Sequence, residues 1–439
     1  MKRKINLSTR LIVAALLLCL ANLTQAQNEH PTNIESPNED VILQWNRVLA
    51  QTIAIPEEHP PTILPVRSFA MMHLAMFDAV NSIDGSYTPY LTKVRSARNA
   101  SMRAAAAQAA HDVLANLYPN QQAIFAAELS NSFVGVSRPQ AMRGISIGHI
   151  VAERMLANRA NDGWSASWTP YILPPTPGNW QELFQGPYPG FAVFTNFPGV
   201  TPFALTSNTQ FLPAPPPTLS SAEYAASFNE VKQLGAANSQ SRTTDQTLTA
   251  QLWANPPVSD GLMFNVVRTT ALAHNNSTVE NARLFALVFM AYHDALETTF
   301  TSQYTYGLWR PATAIRRADE DGNAETTPDA NWESLLGPQG TPPHPSYASN
   351  ASSASSSLAT TLALFYERDD VQFQINFGET PNLVRNYRSF SALTDEIARS
   401  RVYGGVHFPF DIAAGQSAGR SVANFVFLNY LTPRRRNLN

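Results

Sequence analysis

The chain has 439 residues, a net charge of −3 and a pI near 6.3, with 44% hydrophobic and 14% charged residues. This composition predicts a globular protein with a large buried core and excludes a disordered chain. Because basic residues are not in surplus, we expect no nucleic-acid partner. A chain of this length favours two or three domains.

The first 26 residues have the pattern of a secretory signal peptide. A basic start from Met1 to Lys4 precedes an apolar run over residues 11–20, and small residues end at Ala26. We therefore expect a secreted or periplasmic mature chain that is not transmembrane, with an uncleaved anchor as the alternative. The sole cysteine, Cys19, lies in this segment, so the mature chain has no thiol for catalysis, disulfides or zinc.

Alanine-rich stretches with helical spacing follow in two sets, and strand-like alternation is rare. The first set lies in residues 27–163, and its predicted helices are 67–80, 101–117, 122–133 and 138–158. The second set lies in residues 221–439, and its predicted helices are 221–234, 243–254, 261–274, 280–298, 353–366, 388–400 and 410–431. The sequence therefore predicts an all-α fold.

The segment 164–220 separates the two sets and has a different composition. Residues 164–217 hold 12 of the 32 prolines and three tryptophans, at 164, 168 and 180. Proline removes amide donors and fixes φ, which excludes a long helix. The aromatic residues argue against a solvated linker, so we expect an ordered loop packed over the helices, in a position to roof a cleft.

Two patterns occur twice in the same order, which favours a duplicated helical bundle. The first pattern comprises Arg67, Phe69, Ala70, Ala75, Asp78 and Ala79, repeated 216 residues later at Arg283, Phe285, Ala286, Ala291, Asp294 and Ala295. The second comprises Gly144, Ser146, Gly148, Val151 and Ala152, repeated 271 residues later at Gly415, Ser417, Gly419, Val422 and Ala423. We predict two pseudo-repeated four-helix bundles, with the paired glycines serving close helix contact.

The residues that suggest chemistry fall in the second half. Arg310 precedes a proline, Ser349 begins a predicted helix, and Arg401 lies six residues before His407. Two guanidinium groups and a serine at a helix N-terminus suit a tetrahedral oxyanion. Asp411 follows His407 by one helical turn and is placed to orient its ring.

A Gly404-Gly405 bend comes just before His407. Glycine has no side chain to keep a ligand away from the backbone. We therefore include Gly405 among the candidate oxyanion-binding residues.

Together these clusters resemble the vanadium haloperoxidases and the related type 2 phosphatidic acid phosphatases. The pattern of that superfamily is Lys-x6-Arg-Pro, then Pro-Ser-Gly-His, then Ser-Arg-x5-His-x3-Asp. The third motif is complete here, from Ser400-Arg401 through His407 to Asp411. The resemblance extends over nearly the whole mature chain, and is greatest to the secreted bacterial haloperoxidase-like branch.

The first two motifs depart from this pattern. Gln303 stands where the superfamily has lysine, and Asn350 and Ala351 stand where it has glycine and histidine. The missing lysine would polarise bound peroxide, and the missing histidine would be the general acid/base. Glutamine keeps a hydrogen-bond donor without the charge, whereas Asn350 adds bulk near the expected anion.

The resemblance implies a role for each residue that remains. Arg310 and Arg401 would bind the equatorial oxygens of vanadate or phosphate, and Ser349 would donate a hydrogen bond to the same anion. His407 would be the axial vanadium ligand, or the nucleophile of a phosphatase, with Asp411 supporting it or a neighbouring arginine. Gln303 and Asn350 would also border the anion.

Three hypotheses for function stay open. The first is a haloperoxidase that oxidises halide with hydrogen peroxide at bound vanadate, with impaired efficiency. The second is an acid phosphatase-type phosphomonoesterase, and the third is a non-catalytic anion-binding protein, which Gln303 and Ala351 favour. His344 is either a replacement acid or a loop residue between prolines, and a homodimer is left open.

The remaining histidines do not have the spacing of metal ligands. His73, His111, His149 and His293 lie in predicted helices, without a His-Glu-x-x-His pattern. We interpret them as packing or surface residues.

Overall fold

The computed structural model describes residues 39–55, 64–95, 99–183, 186–254, 256–377 and 383–434, so the predicted signal peptide lies outside the described residues. Its first five α-helices are α1 (Val41–Ile53), α2 (Val66–Asp84), α3 (Met102–Leu117), α4 (Gln122–Ser132) and α5 (Arg138–Asn158). The next six are α6 (Ala222–Leu234), α7 (Thr244–Leu252), α8 (Pro256–Ala273), α9 (Thr278–Tyr306), α10 (Pro311–Arg316) and α11 (Gly337–Gly340). The last three are α12 (Asn350–Phe365), α13 (Phe390–Tyr403) and α14 (Pro409–Asn429). An antiparallel hairpin pairs β1 (Phe373–Asn376) with β2 (Val384–Tyr387).

The all-α prediction is confirmed, with differences at particular elements. Helix α9 runs to Tyr306, eight residues beyond the predicted end at 298, and stops where Gly307 takes a φ of +59°. The extension is rich in threonine and aromatic residues, which favour strands locally, but it is buried and packing overrides that preference. Helix α1 was not predicted, and neither was the β1–β2 hairpin.

One apolar cluster joins the two halves of the chain. It includes Phe69 of α2, Phe289 of α9 and Leu358 of α12, and the rings of Phe69 and Phe289 stack at 4.7 Å. Helix α9 packs on α2, α12 and α14. A second cluster, around Trp309 and Phe408, lies beside the candidate site. The long helix α9 therefore packs against helices from both halves of the chain and leads to the candidate site.

The paired glycines lie where helices touch. A Cβ on Gly148 of α5 would come closer than 3.0 Å to α3, at Ala105, and a Cβ on Gly419 of α14 would come equally close to α12, at Ser353. No side chain fits at either position without a shift of the backbone. The glycines bring the last helix of each half against a neighbouring helix.

Two buried aspartates, at equivalent positions of the sequence repeat, accept hydrogen bonds from the backbone amides of loops. Asp78 accepts hydrogen bonds from the amides of residues 90, 91 and 92, at 2.7–2.8 Å. Asp294 accepts from the amides of Phe203, Ala204 and Leu205, at 2.7, 2.7 and 3.0 Å. Each carboxylate thus accepts from three backbone amides of one loop and fixes that loop to its helix.

The proline-rich segment is ordered and packed on the helices, as predicted. Trp180, Phe194 and Phe197 are buried, and its described residues contain only a short 3-10 turn at Phe197–Gly199. The amide of Val193 donates to the carbonyl of Pro343 at 3.1 Å, and Tyr304 donates its hydroxyl to the carbonyl of Val193. We call residues 164–217 the roof segment.

Candidate functional site

Arg310 lies at the centre of the site. It follows the turn that ends α9, and Pro311 begins α10, so the chain reverses and buries the guanidinium completely. Nε donates to the carbonyl of His344 at 2.9 Å, and Nη1 donates to the carbonyl of Val406 at 2.8 Å. Burial lowers the pKa of Arg310 to about 9, which still leaves it cationic at neutral pH.

His407 lies in the turn between α13 and α14, with its ring against Arg310. Its Nε2 is 3.1 Å from Arg310 Nη1, and its Nδ1 is 3.0 Å from Asp411 Oδ2. Burial, with the charges of Arg310 and Arg401, holds the pKa of His407 well below 6.5, so the ring is neutral. These contacts assign the ring hydrogen to Nδ1 and leave Nε2 as an acceptor that faces the arginine.

Asp411 supports this histidine from the first turn of α14. Its Oδ2 also accepts the hydroxyl of Ser346 at 2.5 Å and the amide of Phe408 at 3.0 Å. Oδ1 has no partner among the described residues. Burial raises the pKa of Asp411 to about 7, despite these hydrogen bonds and the nearby Arg310.

Arg401 comes from the last turn of α13. Its Nε donates to Ser400 Oγ at 3.0 Å, and its Nη2 donates to the carbonyl of Trp253. Burial lowers the pKa of Arg401 to about 10, so this group also stays cationic at neutral pH. Within the described ranges, neither Arg310 nor Arg401 forms an ion pair with a carboxylate.

Ser349 caps the N-terminus of α12. Its amide donates to the backbone carbonyl of Asp411 at 3.0 Å, which ties the cap to the turn that holds His407. Its Oγ accepts from the hydroxyl of Ser352 at 3.0 Å. Asn350 and Ala351 follow as half-buried residues of the first turn. The start of α12 thus lies beside the turn that carries His407 and Asp411, with its dipole favouring negative charge.

Gln303 is buried near the end of α9. Its Nε2 donates to the carbonyl of Ala348 at 2.7 Å, and its Oε1 has no partner among the described residues. The side chain therefore braces the segment before Ser349. One of the two N–H donors of its amide is thereby used by the protein.

The backbone at Gly405 serves packing. Its φ is +75°, and a Cβ there would come within 3.0 Å of Gly235 and Ser334. Its amide donates to the carbonyl of Val402 at 2.9 Å, which leaves no amide hydrogen for an anion. The need for glycine at this position is explained without a ligand.

His344, which the sequence left between two interpretations, lies in the site. Its Nδ1 is 3.1 Å from Arg310 Nη2, and its ring meets Phe300 edge-on at 5.2 Å. Burial, with the charge of Arg310, holds the pKa of His344 well below 6.5. It is therefore a second neutral imidazole on the same guanidinium.

The other histidines occupy helix-packing and surface positions. His73 is buried between aromatic rings and contacts Asn46, and His293 is buried beside Asp294. His149 is exposed and pairs with Asp112 at 2.9 Å. In the part of the chain that the structure describes, no group of three or more His, Cys, Asp or Glu residues has the arrangement of a metal site. Among the same residues, no helix combines the length and hydropathy that crossing a membrane requires.

Comparison with known proteins places this geometry in a family. Residues 283–434, which hold Arg310, Ser349, Arg401 and His407, match the family described as the VCPO second helical-bundle domain. A vanadium chloroperoxidase of Curvularia inaequalis is 26% identical over 505 aligned residues, covering 87% of this chain and 80% of that protein. Residues 283–434 therefore belong to that domain family, and the chain as a whole resembles the vanadium haloperoxidases.

Solved structures of bacterial vanadium haloperoxidases have the same fold. A bacterial vanadium-dependent iodoperoxidase superposes with a TM-score of 0.73 at 22% identity, covering 93% of this chain and all of that chain. An apo-type bacterial vanadium-dependent chloroperoxidase superposes with a TM-score of 0.66 at 18% identity, covering 87% of this chain and 97% of that chain.

Two contacts in the site were not predicted from the sequence. Ser346 bonds Asp411, and the carbonyl of Trp253 accepts from Arg401, 148 residues away along the chain. Ser346 lies three residues before Ser349, but a hydroxyl in a proline-rich loop has no distinctive pattern. A backbone carbonyl leaves no trace in a sequence.

Proposed function

We propose that the chain binds vanadate at Arg310, Ser349, Arg401 and His407 and oxidises halide with hydrogen peroxide as a low-efficiency haloperoxidase. The observation that carries this proposal is the pair of buried guanidinium groups without a carboxylate partner. Burying an uncompensated charge is costly, and a dianion or trianion between the two groups offsets that cost. The similarity to the vanadium haloperoxidases supports vanadate as that anion.

The donor set suits such an anion. Arg310 and Arg401 would supply charge and N–H donors, and Ser349 would supply a hydroxyl at the positive end of α12. The neutral His407 would present Nε2 to the metal centre, because its Nδ1–H donates a hydrogen bond to Asp411. Vanadate, when bound, supplies the Lewis-acid centre that activates peroxide toward a halide.

Proton transfer is the weak part of this site. Ala351 provides no acid or base where the superfamily has histidine, and loss of such a group lowers rates by roughly 10² to 10⁴. Gln303 can donate a hydrogen bond, but its Nε2 is engaged with Ala348. We therefore expect the turnover rate to be lowered more than the affinity for the anion.

A non-catalytic anion-binding role is the second candidate, and a specific observation favours it. Four of the five N–H groups of Arg310 have acceptors among the described residues, so the protein itself satisfies most of this guanidinium group. The phosphomonoesterase alternative needs His407 Nε2 to leave Arg310 and attack phosphorus. The predicted signal peptide supports a secreted or periplasmic location for each alternative.

Titration calorimetry of vanadate into the mature protein, with peroxide-driven bromination of a dye on the same sample, tests the proposal. We expect binding with slow turnover, and we expect Arg310→Met to abolish both. Arg399→Met is the matched control, because Arg399 lies on the same helix as Arg401 and pairs with Glu230 at the surface, at 2.6 Å. No binding to the wild type would overturn the oxyanion-site argument.

The alternatives separate in the same experiment. Binding without bromination, and without hydrolysis of p-nitrophenyl phosphate, would support the non-catalytic role. Hydrolysis that vanadate inhibits would support the phosphatase. If Ala351→His increases bromination without changing vanadate affinity, the missing acid/base group limits the rate.

A further inference from the structure

We propose that His344 is an intramolecular competitor, whose imidazole occupies an Arg310 donor that a bound oxyanion requires. The proposal rests on the proposed oxyanion site. It adds a residue, outside the positions of the three sequence motifs, that sets the affinity and the selectivity of that site.

The contacts of Arg310 carry the argument. Arg310 contacts His344 twice, because Nε donates to its carbonyl at 2.9 Å and Nη2 lies 3.1 Å from its ring Nδ1 and 3.5 Å from its Nε2. Nδ1 is also 3.1 Å from the carbonyl of Pro345, so the ring accepts from Arg310 through Nδ1 in one tautomer and through Nε2 in the other. Nη1 serves Val406 and His407. A bidentate oxyanion needs two neighbouring N–H groups of the fork. Each imidazole therefore lies on one of the two nitrogens that an anion on the Nη1–Nη2 side would use, and such an anion competes with both rings.

The ring of His344 is held in this position by the chain around it. Its amide donates to the carbonyl of Pro342 at 2.9 Å, and the carbonyl of Pro343 accepts from Val193 of the roof segment at 3.1 Å. Phe300 packs edge-on against the ring. His344 is 2% exposed. Displacement of the ring therefore means a local shift beneath the roof segment.

The competition favours oxyanions with more than one charge. A neutral imidazole accepts a hydrogen bond but leaves the guanidinium charge uncompensated, whereas a dianion does both. A halide ion accepts at one point and brings a single charge, so it displaces the ring less well. The class of ligand that overcomes His344 is a tetrahedral oxyanion of charge −2 or −3, such as phosphate or vanadate.

Two substitutions at His344 distinguish competition with the anion from support of Arg310. His344→Leu keeps apolar bulk against Phe300 and removes the acceptor, whereas His344→Asn keeps an acceptor near the position of Nδ1. We expect His344→Leu to bind inorganic phosphate about 10-fold more tightly than the wild type, the equivalent of one hydrogen bond to a charged group. His344→Asn should stay within about 3-fold of the wild type, and the exposed His149→Leu should match it.

The measurement is calorimetric titration of phosphate into each folded variant, with circular dichroism and thermal unfolding as checks. Equal or weaker binding by His344→Leu would overturn the proposal, and weaker binding would mean that His344 positions Arg310. If no variant binds phosphate, the oxyanion site itself fails and the inference fails with it. Phosphate binding by His344→Leu, without binding by the wild type, would support both the oxyanion site and the competition.

A second measurement does not depend on the folding of a variant. In wild-type protein labelled with ¹⁵N-histidine, the ring nitrogens of two buried histidines should shift on addition of phosphate, because both lose the Arg310 donor. A shift of one ring only, assigned to His407 by substitution, would overturn the role of His344. Potassium bromide at the same ionic strength should shift neither ring to the same extent.

Discussion

Substitution of Gly419 by alanine should weaken both the fold and the anion site. The new Cβ would come closer than 3.0 Å to the backbone of Ser353, so α14 and α12 must separate locally. Overpacking of this kind costs about 1–3 kcal/mol, and more where backbone must move. Alanine recovers roughly 1 kcal/mol of helix propensity. We expect a net loss of about 1–2 kcal/mol in the free energy of unfolding, and a larger loss if the backbone moves.

The consequence for the site follows from what the two helices carry. Helix α12 begins at the Ser349 cap and α14 begins next to His407 and Asp411, so their separation loosens the contact between Ser349 and Asp411. Phosphate affinity should therefore fall in Gly419→Ala. In Gly148→Ala, the equivalent change between α5 and α3, stability should fall in the same way while affinity is kept.

Equilibrium urea unfolding and calorimetric titration of phosphate measure the two effects. Gly261→Ala is the control, because Gly261 lies within α8 and a Cβ there has no atom within 4 Å. It should be neutral or stabilising by up to about 1 kcal/mol. The reasoning is refuted if Gly419→Ala is as stable as the wild type, or if Gly148→Ala and Gly419→Ala lower the affinity equally.

Three further predictions concern single side chains. Asp294→Asn should lower the free energy of unfolding by roughly 2–4 kcal/mol, since three amides lose a charged acceptor, whereas the exposed Asp319→Asn should change little in urea unfolding. The folded pKa of Asp411, about 7, lies above its ordinary value of 3.8, so the native protein keeps a proton that the unfolded chain releases. Stability should therefore fall by up to about 4 kcal/mol as the pH rises from about 4 to about 7, and a pH series in urea should show this slope in the wild type and not in Asp411→Asn. Tyr304→Phe removes the hydroxyl that holds Val193, so limited proteolysis should cut the roof segment faster than in the wild type, and equal rates would argue against this contact.

The third motif could be placed from sequence because its geometry is local. His407 and Asp411 are four residues apart at the start of a helix, a spacing that brings the two side chains onto one face, and they lie 3.0 Å apart. The helix boundaries of α3 and α5 were also predicted closely, since both are rich in alanine and follow cap residues.

The remaining features depend on contacts between distant segments. His344 reaches Arg310 only because the turn after α9 and the loop before α12 meet in space, and a proline-rich stretch has no periodicity from which to predict that meeting. The hairpin of β1 and β2 is four residues long on each side, too short for alternation to stand out. The end of α9 is set by burial, which a local preference for strand cannot foresee.

The three amides on Asp294 have a consequence for how the roof segment can vary in sequence. Because the carboxylate of a core helix accepts hydrogen bonds from the main chain at residues 203–205, this attachment excludes proline from the three donor positions. The side chains of the same residues are buried in the apolar cluster that joins the two halves of the chain, so their size is constrained as well. Substitutions in the roof segment should therefore accumulate at its exposed positions and spare these three.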